Sequence, residues 1–144
     1  LDVASDGTLW LAYFDQNDVD LKVASSSDDG QTWTVERVDE RGDVGLYPSL
    51  AVGSDGTVFV AYTYCGAASD RDCPGNLGND SVVRLATRAP GAADWSFQTV
   101  DDGQGQGFVG EFNSLVVLPD GRLGVAFVDQ RNSDLLFARE VREQ

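Results

Sequence analysis

The chain has 144 residues, 42% apolar and 24% charged, with a formal net charge of −14 and no histidine. Such an acidic surface repels DNA and RNA, so nucleic acid is not an expected partner; the acidity suits an exported or salt-exposed protein that must stay dissolved, and tolerates cations and basic partners. No apolar run reaches the roughly 20 residues of a membrane helix, no signal peptide is visible, and the start at Leu1 reads as a processed or excised segment.

In chain order, the first pair of elements is Leu1-Asp2-Val3-Ala4 and Leu9-Trp10-Leu11-Ala12-Tyr13-Phe14, joined through Asp6-Gly7. An Asp-Gly between apolar runs is a hairpin signal, and the nearly continuous second run is the pattern of a strand covered on both faces. A turn over Asp15–Asp20 leads to a third strand, after which Ser26-Ser27-Asp28-Asp29-Gly30-Gln31-Thr32-Trp33 fits S-x-D-x-G-x-T-W. These residue types suit a self-contained turn. Asp28 can accept backbone N–H groups of its own loop, Gly30 can take positive φ, and Ser26 and Thr32 offer hydroxyls to the same loop. Trp33 is expected to bury its ring between neighbouring sheets. The string resembles the Asp-box, or BNR repeat, of sialidase-like β-propellers such as those of secreted bacterial proteins. That resemblance implies four-stranded antiparallel blades and places this turn on the end away from any ligand. An alternating outer strand, Thr34–Asp39, ends the unit.

The unit then recurs. Leu50-Ala51-Val52-Gly53-Ser54-Asp55-Gly56-Thr57 and Leu115-Val116-Val117-Leu118-Pro119-Asp120-Gly121-Arg122 repeat the first hairpin, followed by the apolar runs Val58–Thr63 and Leu123–Val128. Ala12 to Ala24 and Ala126 to Ala138 are each 12 residues, whereas Ala61 to Ala86 is 25, so the middle copy carries 13 extra residues. The added loop holds Cys65 and Cys73, a plausible local disulfide that would place the protein in an oxidising compartment. Of the box only Trp95 survives in the second copy, before an outer strand Ser96–Asp101, and Val44–Leu50 aligns with Val109–Leu115.

Four short strands per roughly 50 residues is the size of one propeller blade. The expected fold is therefore all-β: one β-propeller domain segment of about three four-stranded antiparallel blades. Blade 1 spans about 1–39, blade 2 about 48–101 and an incomplete blade 3 about 112–144. Strands are expected near 1–4, 8–14, 20–26 and 33–38, then 48–53, 57–64, 81–88 and 95–100, then 112–118, 122–128 and 134–141. Three blades leave apolar faces at both ends, so the segment reads as part of a six- or seven-bladed propeller completed by missing sequence or another chain.

In this topology the second-to-third hairpins and the blade-to-blade connections share one end, where the resembling families hold their ligands. That end offers Asp15, Arg41, Asp43, Tyr47, Arg71, Glu111, Asp129 and Arg131. In sialidases an arginine cluster clamps a carboxylate, a glutamate activates a tyrosine nucleophile, and an aspartate handles protons. No Arg-Ile-Pro string accompanies these residues, and Tyr47 recurs as Phe112, which favours packing over nucleophilic attack. Asp15-Gln16-Asn17-Asp18-Val19-Asp20-Leu21 and Asp129-Gln130-Arg131-Asn132-Ser133-Asp134-Leu135 share D-Q-x-[DN]-x-D-L, read first as an Asx-capped turn and second as a repeated ligand motif. Calcium among these oxygens is a lesser alternative because the Gly and distal Glu of an EF-hand loop are absent; no cofactor or metal is otherwise expected. The leading reading is an extracellular module that binds a ligand or partner, a glycan being one candidate. The alternatives are part of a sialidase-like glycoside hydrolase or polysaccharide lyase, and a structural scaffold.

Overall fold

The structure is a computed structural model that describes residues 1–66, 81–105 and 107–141. Arg71 and Cys73, and with Cys73 the expected bridge to Cys65, lie outside the described residues.

Eleven strands form the described chain: β1 (Asp2–Val3), β2 (Leu9–Asp15), β3 (Asp20–Ser26), β4 (Thr34–Asp39), β5 (Val44–Val52), β6 (Val58–Tyr64), β7 (Val82–Arg88), β8 (Ser96–Asp101), β9 (Val109–Val117), β10 (Leu123–Asp129) and β11 (Asp134–Arg139). They make three antiparallel sheets, ordered β1-β2-β3-β4, β5-β6-β7-β8 and β9-β10-β11, each a simple up-and-down meander. The fold is all-β, with one short 3-10 turn at Gly103–Gly105 and no α-helix among the described residues. The sheets converge along their first strands, β5 packing against both β1 and β9. This is the fan of propeller blades.

Strand alternation sorts each blade's residues between its two neighbours. In β6, Val58, Val60 and Tyr62 face blade 1 and join Leu21, Val23, Val38 and Val44 in one buried cluster. Ala61 points the other way and joins Val83, Leu85, Leu115, Leu123, Val125 and Phe127 in the second. A middle strand buried on both faces needs apolar residues at every position, which is why the runs show no alternation. Each Asp-Gly hairpin is capped alike: Asp6, Asp55 and Asp120 accept the backbone N–H of Thr8, Thr57 and Arg122 at 2.9, 3.0 and 3.1 Å.

The inner strands β5 and β9 begin earlier than the apolar runs suggested, at Val44 and Val109. Both contain a bulge. Gly45 and Gly110 have φ of +99° and +97°, and Tyr47 and Phe112, two residues on, have φ of +49° and +53°. Pairing therefore resumes out of step, from Leu46 with Thr63 to Ser49 with Ala61. The glycines also let the blades touch: a Cβ at position 45 would stand 2.7 Å from the Leu21 Cα, and one at position 110 would stand 2.6 Å from the Thr63 Oγ1.

The outer faces of the set remain uncovered. Ala51, Val83 and Leu85 of blade 2 are 7%, 0% and 6% exposed against blade 3, whereas their counterparts Val116, Leu135 and Phe137 in blade 3 are 46%, 75% and 61% exposed. At the other end Trp33 departs from expectation. Its ring is 40% exposed, and its indole N–H donates to the Gly30 carbonyl of its own turn at 3.1 Å. Trp95, its counterpart one blade on, does lie between sheets, packed on the first cluster under the Arg88 guanidinium. The difference has a simple cause: Trp33 is on the face of the first sheet that no other sheet covers.

The Ser26–Trp33 turn closes on itself. Asp28 accepts the Thr32 backbone N–H at 2.8 Å, the Thr32 hydroxyl at 2.6 Å and the Ser26 hydroxyl at 2.7 Å, while the Gly30 N–H donates to the Ser26 Oγ at 3.0 Å. The Thr32 hydroxyl, then its backbone N–H, hold the Asp28 carboxyl down to about 2. A carboxyl lowered on folding stabilises the native state above its unfolded value of 3.8 and loses that contribution as pH falls through about 2. The gap in melting temperature between the wild type and Asp28→Asn is therefore expected to shrink over that window. A gap that stays constant from neutral pH to pH 2 would show that the ionised carboxylate is not what holds the turn.

Candidate functional site

Antiparallel order sends β2, β4, β6, β8 and β10 toward one end and returns the chain from there in β3, β5, β7, β9 and β11. The described candidate residues, Asp15, Arg41, Asp43, Tyr47, Glu111, Asp129 and Arg131, therefore lie toward that end, opposite the Ser26–Trp33 turn. Backbone hydrogen bonds join neighbouring connections there: Asp43 N–H to the Gly66 carbonyl, Cys65 N–H to the Asp43 carbonyl, and Gln130 N–H to the Phe108 carbonyl.

The structure brings Tyr47 and Glu111 together across the boundary of blades 2 and 3, the phenol donating to the Glu111 Oε1 at 3.1 Å. The β9 bulge makes this possible, since Glu111 follows Gly110 and precedes Phe112, both left-handed. Burial, and then the hydrogen bond to Glu111, push the Tyr47 phenol above its ordinary range. Phe108 meets the Tyr47 ring edge-on at 6.5 Å, and Phe112 tilts against it at 5.4 Å. The bulge is anchored beneath by Asn113, whose side-chain amide donates to the Tyr47 carbonyl and to the Thr63 Oγ1, each at 3.1 Å. Phe112 itself is 69% exposed, on the sheet that no further sheet covers.

The other candidates are engaged elsewhere. Asp15 accepts the Asn17 and Asp18 backbone N–H groups and pairs with Lys22 at 2.6 Å; Asp129 does the same for Arg131 and Asn132 and pairs with Arg131 at 3.2 Å. Val19 and Ser133, at matching places, both have positive φ. The shared D-Q string is thus spent on an Asx-capped turn. Among the described residues no group of three or more His, Cys, Asp or Glu side chains is placed to hold a metal ion. Asp43 is buried with its Oδ1 unpartnered, and burial pushes its carboxyl above the ordinary range.

Arg41 reaches Asp39, a residue the motifs did not single out. Asp39 is fully buried at its side chain and accepts the Tyr62 hydroxyl at 2.6 Å, the Arg41 Nε at 3.0 Å and an Arg84 nitrogen at 3.4 Å. Burial raises its carboxyl, but the Tyr62 and Arg41 hydrogen bonds outweigh that and leave it below the ordinary range. Its only sequence signal was its recurrence as Asp101 at the end of the next outer strand. Tyr62 was hidden inside an apolar run, where a hydroxyl leaves no mark on periodicity.

This end can therefore present a carboxylate beside aromatic rings. It does not present a cluster of unengaged guanidinium groups among the described residues, because Arg37, Arg41, Arg84 and Arg131 each meet a carboxylate. A separate groove of about 390 Å³ runs between β7–β8 and β10–β11, lined by apolar residues such as Leu85, Val100 and Val125 and equally by polar ones such as Gln98, Thr99 and Glu140. No helix among the described residues is long and apolar enough to cross a membrane.

No protein-family model matches the sequence, and no curated protein does. Solved structures are similar in shape. An ulvan lyase of polysaccharide lyase family PL25 superposes with a TM-score of 0.60 at 16% identity, over 96% of this chain and 34% of the lyase. An intramolecular trans-sialidase from Ruminococcus gnavus gives 0.49 at 19% identity over 96% of this chain and 31% of its own, and a leech intramolecular trans-sialidase 0.36 at 14% over 96% and 30%. The chain thus spans about a third of the length of these enzymes. At such identity the likeness to the lyase establishes the fold alone, three successive sheets of a propeller-type protein.

Proposed function

We propose that the chain is part of an exported β-propeller that binds a glycan, without turning it over, at the end that carries Tyr47 and Glu111. The observation that carries this reading is the Tyr47–Glu111 hydrogen bond of 3.1 Å beside the exposed Phe112 ring. A carboxylate accepts sugar hydroxyls, an aromatic face takes the C–H side of a pyranose, and a few placed polar groups among rings are what a sugar site needs. The fold likeness to a polysaccharide-acting enzyme supports a carbohydrate ligand. In this reading the Ser26–Trp33 turn is an Asp-box, Cys65 pairs with Cys73, and further blades cover Val3, Trp33 and Val35 on one face and Val116, Leu135 and Phe137 on the other.

One observation favours a second reading. A phenol donating to a carboxylate is also the geometry of a nucleophile and its base, as a sialidase-like hydrolase requires. Against it stands the pairing of each arginine at this end, among the described residues, with a carboxylate, in place of a cluster of guanidiniums facing a ligand. Profiling on a glycan array, together with fluorogenic glycosides, separates the two. Binding without turnover, weakened about tenfold by Glu111→Gln, is the expected result. Hydrolysis abolished by Tyr47→Phe would establish the enzyme instead, and silence in both assays would leave a scaffold.

A further inference from the structure

Phe112 stands on the innermost strand of its sheet, where core residues are usual, yet 69% of it is exposed. Tyr47 occupies the same register one blade earlier and remains only half-buried although a neighbouring blade is present. A neighbouring blade therefore narrows this register without sealing it. Left-handed backbone is costly for a ring-bearing residue, and here it recurs at both positions. The two rings lie 5.4 Å apart at 56°, with Phe108 bracing Tyr47 from behind. Glu111 spends Oε1 on the Tyr47 hydroxyl, and no other partner holds it among the described residues.

The second observation concerns charge. Eight basic side chains are described, and each lies within 3.4 Å of a carboxylate: Lys22 with Asp15, Arg37 with Asp20, Arg41 and Arg84 with Asp39, Arg88 with Glu36, Arg131 with Asp129, and Arg122 and Arg139 with Asp120. Recognition of an acidic sugar calls for a guanidinium fork or an ammonium that a ligand carboxylate can take up. Here such a ligand would meet, among the described residues, only cations that already face a carboxylate, which offsets their pull on a second anion. It would also approach Glu111, a like charge, on a chain whose net charge is −14.

We infer that the glycan taken at this end is uncharged, one pyranose stacking on Phe112 and giving a hydroxyl to Glu111. The inference rests on the glycan-binding reading above and narrows it to neutral sugars. Its test is titration of the full chain by calorimetry and saturation-transfer NMR at matched ionic strength. The neutral probes are cellohexaose, mannohexaose and laminarihexaose; the acidic probes are hexagalacturonate and 3′-sialyllactose. The expected result is binding of at least one neutral probe, weakened about tenfold or more by Phe112→Ala, with no binding of either acidic probe. Because Phe112 is exposed, its removal leaves the fold intact, which an unchanged circular dichroism spectrum and melting temperature verify. An acidic probe that binds and is released by Phe112→Ala would overturn the neutral preference and leave the glycan site standing. Neutral binding indifferent to Phe112→Ala and Glu111→Gln would remove the site from this register. Binding of neither class would overturn the glycan reading itself.

Discussion

Asp39→Ala is expected to lower the free energy of unfolding by about 3–5 kcal/mol, the largest loss from any single side chain at the loop end. The carboxylate is fully buried and joins three elements: β4, which carries it, β6 through the Tyr62 hydroxyl, and β7 through Arg84. Truncation leaves the Tyr62 hydroxyl buried without an acceptor and Arg84 without its carboxylate. Tyr62→Phe removes one charge-assisted hydrogen bond and should cost about 1.5–3 kcal/mol. Urea titration followed by tryptophan fluorescence measures both. The Asp39 carboxyl lies below its ordinary range in the fold, so its contribution is complete above the unfolded carboxylate value and is lost as pH falls through the lower folded one. A loss under about 1 kcal/mol for Asp39→Ala would mean that burial and pairing cancel, and that the blade contact rests on apolar packing alone.

Gly45→Ala should cost about 3 kcal/mol or more, since it adds a backbone collision to an unfavourable φ. The new Cβ would sit 2.7 Å from the Leu21 Cα, and main chain cannot rotate away as a side chain does. Gly7→Ala is the control: its φ is +88°, yet a Cβ there meets nothing within 4 Å. That variant carries only the conformational penalty of about 1–2 kcal/mol. Gly45→Ala should in addition disturb Tyr47, two residues along the same bulge, which a change in the Tyr47 ring resonances would register. Equal losses for the two variants would show that blades 1 and 2 can separate by a few tenths of an ångström without cost.

Much of the architecture was legible because the repeat is written in residue types that a propeller cannot vary freely. The Asp-Gly turns, the doubly apolar middle runs and the fixed alanines marked the hairpins and the central strands of each sheet. The early starts of β5 and β9 were not legible, because Val44–Pro48 and Val109–Asn113 mix Gly, Pro and polar residues that read as loop. Only the bulge, with its left-handed residues, keeps such a segment paired. The described candidate residues lie at the loop end, but loop membership says nothing about which side chains meet. Arg41 chose Asp39, and the D-Q turns used their own aspartates as caps.

The sequence by itself determined the repeat, the strand order within a blade, the self-contained turn at Ser26–Trp33 and the acidic charge, since each depends on local residue chemistry or on spacing along one chain. The tertiary structure alone decided what lies across a blade boundary. It joined Tyr47 to Glu111, sank Asp39 beneath Tyr62, and set Arg84 and Arg88 against Asp39 and Glu36 of the preceding blade. The Tyr47–Glu111 and Asp39–Tyr62 contacts join residues 64 and 23 positions apart along the chain, and the first depends on a bulge whose left-handed backbone no periodicity encodes. Neighbouring blades meet through side chains set by packing, and packing is where one-dimensional pattern stops carrying information.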